Sequence, residues 1–128
     1  MPVSEPTLGL LQTGLWAVVN SDHGTARGSR LADIEISGKT GTSQVISRKK
    51  DDTQPEEERP AHLRAHAWFV AYAPSKNPVI AVAVLIEHGE HGSGAAAPVA
   101  RELIKTYLRK SVATDQMAQD SADKDNSG

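Results

Sequence analysis

The sequence predicts an α+β fold: a three-stranded antiparallel sheet with an N-terminal and a C-terminal helix. Periodicity carries this expectation. Apolar residues recur at helical spacing near both ends of the 128-residue chain. Between them, two short apolar runs are separated by Pro74-Ser75-Lys76-Asn77-Pro78, and a glycine-bearing, β-compatible stretch precedes both runs.

Leu8, Leu11, Leu15, Val18 and Val19 form one stripe, so residues 5–20 read as a helix, with Ser4 or Thr7 as cap and Pro6 tolerated near the start. Residues 20–30 are rich in Ser, Asp, Gly and charge and read as a loop. Ile34 to Ile46 is β-compatible but carries Gly38 and Gly41, and glycine within a strand marks close approach by another backbone or a ligand. Residues 47–65 hold Lys, Asp, Glu, Arg and Pro with almost nothing apolar, which predicts a mobile loop that adds nothing to a core. The runs 66–73 and 79–86 read as a hairpin whose strands are covered on both faces. After the loop 87–93, a helix is expected over 94–110, with Ala96, Ala100, Leu103, Ile104, Tyr107 and Leu108 as its stripe and a basic last turn that suits its dipole. Residues 111–128 are polar and are expected to be a disordered tail, leaving 1–110 as the one folded unit. Trp16, Trp68, Phe69, Tyr72 and Tyr107 lie in the apolar runs and are expected to pack in the core.

Composition removes several classes of function. A formal charge of −2, from 14 basic and 16 acidic side chains, gives no pull toward nucleic acid or an anionic membrane. The absence of cysteine rules out disulfides and thiolate metal sites. The apolar stretch 78–86 is too short to span a bilayer, and the first residues lack the basic-then-apolar pattern of a signal peptide. The chain itself is therefore expected to make no membrane contact. Of the five histidines, His62, His66, His88 and His91 flank the central strands, but no His-x-x-x-His pair falls on an expected helix. No metal site and no cofactor are expected, and His88 and His91 read as solvated loop residues.

Gly38-Lys39-Thr40-Gly41-Thr42 is the segment with chemical content. A phosphate-binding loop would need glycine where Asp33 stands and a helix after the Lys-Thr, whereas Ile34-Glu35-Ile36 reads as strand and Gly41 follows at once. Lys-Thr-Gly on a strand fits the serine acyl-transferring enzymes that react with penicillin. An edge strand can hydrogen-bond an acyl-peptide along its backbone, glycine permits close approach, and lysine can hold a carboxylate. Taken alone, the triplet also fits an exposed, glycine-bent strand with a solvated lysine.

Several separated blocks sharpen the reading. Gly24-Thr25-Ala26, Ile36 to Val45, His66-Ala67-Trp68-Phe69-Val70-Ala71-Tyr72-Ala73-Pro74, Val79 to Gly89 and Ala95-Ala96-Ala97-Pro98-Val99-Ala100-Arg101 resemble, in order and spacing, class B penicillin-binding proteins, the two-type cell-elongation transpeptidases above all. The resemblance implies the C-terminal part of a serine transpeptidase domain of β-lactamase-like fold. It further implies that Lys39 supports the site electrostatically, that Thr40 and Thr42 meet the substrate or β-lactam carboxylate beside Gly41, and that the Thr42 N–H is one of two oxyanion-hole donors.

The family also needs an acylated Ser-x-x-Lys helix and a Ser-x-Asn loop upstream of Lys39, and neither occurs there. Ser47-Arg48-Lys49-Lys50, Ser121-Ala122-Asp123-Lys124 and Ser75-Lys76-Asn77 match those patterns only by letters and fall downstream. The chain by itself is thus not expected to form an acyl-enzyme. Its expected partners are the peptidoglycan stem peptide and β-lactams within an intact domain, the N-terminal half of that domain, and further copies of itself. The family is anchored in the bacterial inner membrane with this domain in the periplasm. Two rival readings stay open here: a non-catalytic module that complements a separately encoded N-terminal half, and a truncated, non-functional gene product.

Overall fold

The computed structural model describes residues 3–45, 53, 55 and 58–125. Helix α1 (Glu5–Asn20) starts behind Ser4 with Pro6 in its first turn. A short 3₁₀ turn (Arg27–Ser29) leads to β1 (Ser37–Ser43), and a second (Ala61–Leu63) leads to β2 (His66–Ala73). Strand β3 (Ile80–Ile86) is followed by a π-helical turn (Gly92–Ala96) that runs directly into α2 (Ala97–Asp125). The sheet has the order β1-β2-β3, antiparallel throughout, so β1 is one edge and β3 the other. The α+β architecture matches the expectation, and α1 and β2 have the expected bounds.

One face of the sheet makes the core. Ala67, Phe69, Ala71 and Ala73 of β2 are buried, and their register partners on β3, Ile86, Val84, Val82 and Ile80, pack with them. Ala96, Ala97, Ala100 and Ile104 cover this face, and the small residues on both sides let α2 approach closely. Across the sheet, Trp68, Val70 and Leu85 are exposed. The expectation of strands covered on both faces is therefore corrected: the apolar runs alternate, and only one face is buried among the described residues. Likewise Trp16, Trp68 and Tyr107 are exposed rather than core residues, Tyr72 is half-buried, and Leu103 of the expected α2 stripe faces outward.

Two boundaries also differ. Helix α2 continues through 111–125, where a disordered tail was expected, because this stretch contains no glycine or proline to end it. Its residues 111–117 are exposed, so that part of the extension rests on helix propensity and not on burial. Much of the 47–65 loop lies outside the described residues, but its last part is ordered and packed. Arg59 and Ala65 are buried, and the Arg64 Nε donates to Arg59 O at 2.9 Å. Small or amphipathic residues thus reach the core from a segment whose composition is polar overall.

Candidate active site

The site segment lies on the edge strand β1. Lys39, Thr40, Gly41 and Thr42 stand opposite Val70, Phe69, Trp68 and Ala67 of β2. Glycine at 38 is required by packing: a methyl group there would lie 2.7 Å from both Phe69 Cζ and Val70 O. At Gly41 the added methyl would meet Trp68 Cβ at 3.2 Å, so the strand passes close to the exposed indole.

Helix α1 runs beside β1. Asn20 ends the helix with its side-chain amide shared between Trp16 O (2.9 Å) and Ile36 O (2.8 Å), which ties the helix terminus to the residue before the strand. Leu10, Leu11, Gly14, Leu15 and Val18 of α1 and Lys39 of β1 line a cavity of about 300 Å³. The exposed Lys39 therefore has its aliphatic stem beside an apolar helix face, while its Nζ donates to Thr40 O at 2.7 Å.

The loop after α1 brings a further residue to the strand. Ala26 N donates to Val18 O at 2.9 Å, and a methyl on Gly24 would lie 2.4 Å from Val18 O and 2.5 Å from Ala17 O. This close wrap over the last carbonyls of the helix places Thr25 Oγ1 3.3 Å from Thr40 Oγ1. The sequence assigns Thr25 no role; Gly24, where the chain must pass close to the helix end, is the local signal that the next residue turns back toward the strand.

Beyond Thr42, the β1–β2 pair ends at Ser43 and His66. His66 Nδ1 accepts the backbone N–H of His88 at 3.0 Å, and His88 Nδ1 lies 3.1 Å from Arg64 O. Arg64 pairs with Glu90 at 2.7 Å, and Glu90 N donates to Ala65 O at 2.9 Å. His88 and Glu90 adopt positive φ, 55° and 62°. His88 is therefore a half-buried, tethered residue and not the solvated one expected. Among the described residues no group of three or more His, Cys, Asp or Glu is placed to hold a metal.

The letter matches to serine motifs stand elsewhere. Ser75-Lys76-Asn77 lies in the β2–β3 turn, where Ser75 Oγ accepts from Ser37 Oγ at 2.9 Å. It borders a groove of about 540 Å³ lined also by Gln12, Trp16 and Glu35, at the start of β1. Thr42 is five residues further along the strand, about 17 Å at 3.4 Å per residue. Ser121–Lys124 falls in the distal part of α2, and Ser47–Lys50 lies outside the described residues. No helix among the described residues is long and apolar enough to cross a membrane.

Residues 1–105 match the family described as penicillin binding protein transpeptidase domain. The chain is similar to the peptidoglycan D,D-transpeptidase MrdA of Haemophilus influenzae, 40% identical over 98 residues, covering 76% of this chain and 15% of that protein. MrdA of Escherichia coli K12 is 31% identical over 127 residues, covering 92% of this chain and 20% of that one. Among solved structures, Pseudomonas aeruginosa PBP2 in complex with WCK 5153 superposes with a TM-score of 0.66 at 39% identity, over 84% of this chain and 21% of the other. PBP2 of Helicobacter pylori in its complex with MreC gives 0.68 at 29% identity, over 84% and 19%. The chain thus spans about a fifth or less of the length of the curated relatives named here. The chain belongs to the penicillin-binding protein transpeptidase domain family, of the penicillin-binding protein two type.

Proposed function

We propose that this chain supplies one wall of the active site of a peptidoglycan D,D-transpeptidase, the serine nucleophile coming from the remainder of the domain. The observation that carries the reading is the placement of Lys39, Thr40, Gly41 and Thr42 on a sheet edge with no strand beyond it among the described residues. An unpaired edge offers backbone N–H and C=O groups to an extended acyl-peptide.

Roles follow from chemistry. The Lys39 ammonium supplies a fixed positive charge at the strand, suited to a substrate or penicillin carboxylate. Thr40 and Thr42 offer hydroxyl donors to the same carboxylate, Thr40 being oriented by its Thr25 neighbour. The Thr42 N–H donates to the oxyanion that forms when an acyl carbonyl is attacked, the second donor being the N–H of the nucleophilic serine. The serine would form an acyl-enzyme with a D-alanyl peptide, and a neighbouring amine would then take the acyl group and release the serine. No metal or cofactor enters this scheme.

Surface character supports a chain that packs against the rest of such a domain. Leu10 and Leu11 on α1, Trp68 and Leu85 on the sheet, and Leu103 and Tyr107 on α2 are all exposed apolar side chains that the remainder of such a domain would cover. The inner-membrane anchor of the family would likewise lie in that remainder.

The test is Lys39→Ala in the chain combined with the upstream part of a family transpeptidase domain. Acylation by a fluorescent penicillin should slow by about 100-fold or more, the scale of a lost electrostatic contact in an acyl-transfer site. Melting temperature should stay within a few degrees, since an exposed lysine has little burial to lose. Parent-like acylation would refute the role of Lys39.

A further inference from the structure

We propose that Gly92 is a positioning residue for the peptide joining Gly41 to Thr42, and hence for the aim of the Thr42 N–H; this rests on the reading of Thr42 as an oxyanion donor. Gly92 is buried at the start of the π-helical turn Gly92–Ala96. Such turns are rare and recur at functional sites. A methyl group on Gly92 would lie 2.3 Å from Trp68 O, 2.9 Å from Gly41 O and 3.1 Å from Gly41 N. All three are backbone atoms of one rung of the β1–β2 pair, so no side chain can swing aside to make room.

The consequence follows from peptide planarity. Gly41 C=O and Thr42 N–H belong to one rigid unit, so a push on the Gly41 oxygen turns the Thr42 N–H with it. Gly92 reaches no substrate; it acts through Gly41. By contrast, a methyl on Gly94, in the same turn, would meet nothing within 4 Å. The demand for glycine is therefore local to 92.

Both flanks hold Gly92 in place. On one side, the Arg64–Glu90 ion pair, the Glu90 N–H to Ala65 O bond and the His88 N–H to His66 Nδ1 bond fix a loop whose positive φ angles at His88 and Glu90 cost energy to maintain. On the other, Ala96, Ala97 and Ala100 are buried in the core against β2. The ordered segment before β2 and the base of α2 thus converge on the strand that carries the site.

The experiment compares Gly92→Ala with Gly94→Ala in two settings. In the chain itself, amide ¹H–¹⁵N spectra report the geometry: Gly92→Ala should shift the Gly41 and Thr42 resonances, and Gly94→Ala should leave them in place. Combined with the upstream part of a family transpeptidase domain, acylation by a fluorescent penicillin reports the chemistry. There Gly92→Ala should lower the limiting acylation rate by about 10–100-fold with the half-saturating concentration changed less than about twofold, the pattern of a contact made only in the transition state. Gly94→Ala should match the parent. Should Gly92→Ala fail to fold, Glu90→Ala keeps the glycine and loosens its tether; it should lower the limiting rate in the same sense, by about threefold or more, again with little change in half-saturation.

A folded Gly92→Ala variant with the parent's rate and unmoved Gly41 and Thr42 amides would overturn the proposal. So would a parent-like Glu90→Ala where Gly92→Ala cannot be folded, or equal losses in rate and half-saturation. A parent combination that takes up no penicillin would refute the transpeptidase reading and with it the catalytic consequence of Gly92. A parent that acylates normally while Lys39→Ala does too would refute Lys39 alone and leave the Gly92 comparison decisive.

Discussion

Thr25 Oγ1 lies 3.3 Å from Thr40 Oγ1, joining the loop after α1 to the middle of β1. The contact depends on Gly24, which has no room for a side chain against Val18 O and Ala17 O. Gly24→Ala should destabilise the fold by about 1–3 kcal/mol, the usual cost of forcing a methyl into a packed position. Thr25→Val should cost less than about 1 kcal/mol, since the hydroxyl pair is exposed. It should nevertheless raise the half-saturating concentration for a carboxylate-bearing penicillin, because Thr40 loses its orienting neighbour. Denaturant titration and acylation kinetics check the pair.

Phe69 and Trp68 are adjacent on β2 and should respond in opposite proportion to their size. Phe69 is 1% exposed and Trp68 is 37% exposed. Phe69→Ala should cost about 3–5 kcal/mol through lost burial and the cavity left under Gly38. Trp68→Ala should cost clearly less. Equilibrium unfolding of the two variants decides it; a larger loss at Trp68 would mean that the outer sheet face is covered.

This reversal shows where the sequence misleads. Both strands of the hairpin are apolar at nearly every position, so hydrophobicity alone conceals their alternation. The core face of β2 uses Ala67, Ala71 and Ala73 because Ala96, Ala97 and Ala100 of α2 come close, and the bulkier Trp68 and Val70 are left on the other face. Strand and helix identities were legible because period and turn chemistry are local. Lys39, Thr40 and Gly41 were legible as strand residues, being contiguous in a β-compatible stretch. Thr25 and Gly92 were not legible: Thr25 meets Thr40 only once the loop after α1 has folded back, and Gly92 packs on Gly41 and Trp68, which lie far back along the chain. The extension of α2 past Lys110 was hidden by a polar composition that suits an exposed helix as well as a tail.

Strand β3 is the other sheet edge, with Ala81, Ala83 and Leu85 exposed and no charge between Val79 and Ile86. Such an edge pairs with further copies unless it is covered. The isolated chain should therefore self-associate with rising concentration, and Ala83→Lys should suppress this. Sedimentation at several concentrations measures both; a parent that stays monomeric at high concentration would show that the edge needs no partner.

Fluorescent-penicillin labelling of the chain, alone and combined with the upstream part of a family transpeptidase domain, separates a site wall from a complete enzyme. The chain alone should take up no denaturation-resistant label, because an oxyanion donor and a lysine on an edge strand cannot form the covalent bond. The combination should be labelled on a serine of the upstream part, and Lys39→Ala should slow that labelling. A stoichiometric, denaturation-resistant adduct on the chain alone would contradict the assignment, as would a combination that remains unlabelled.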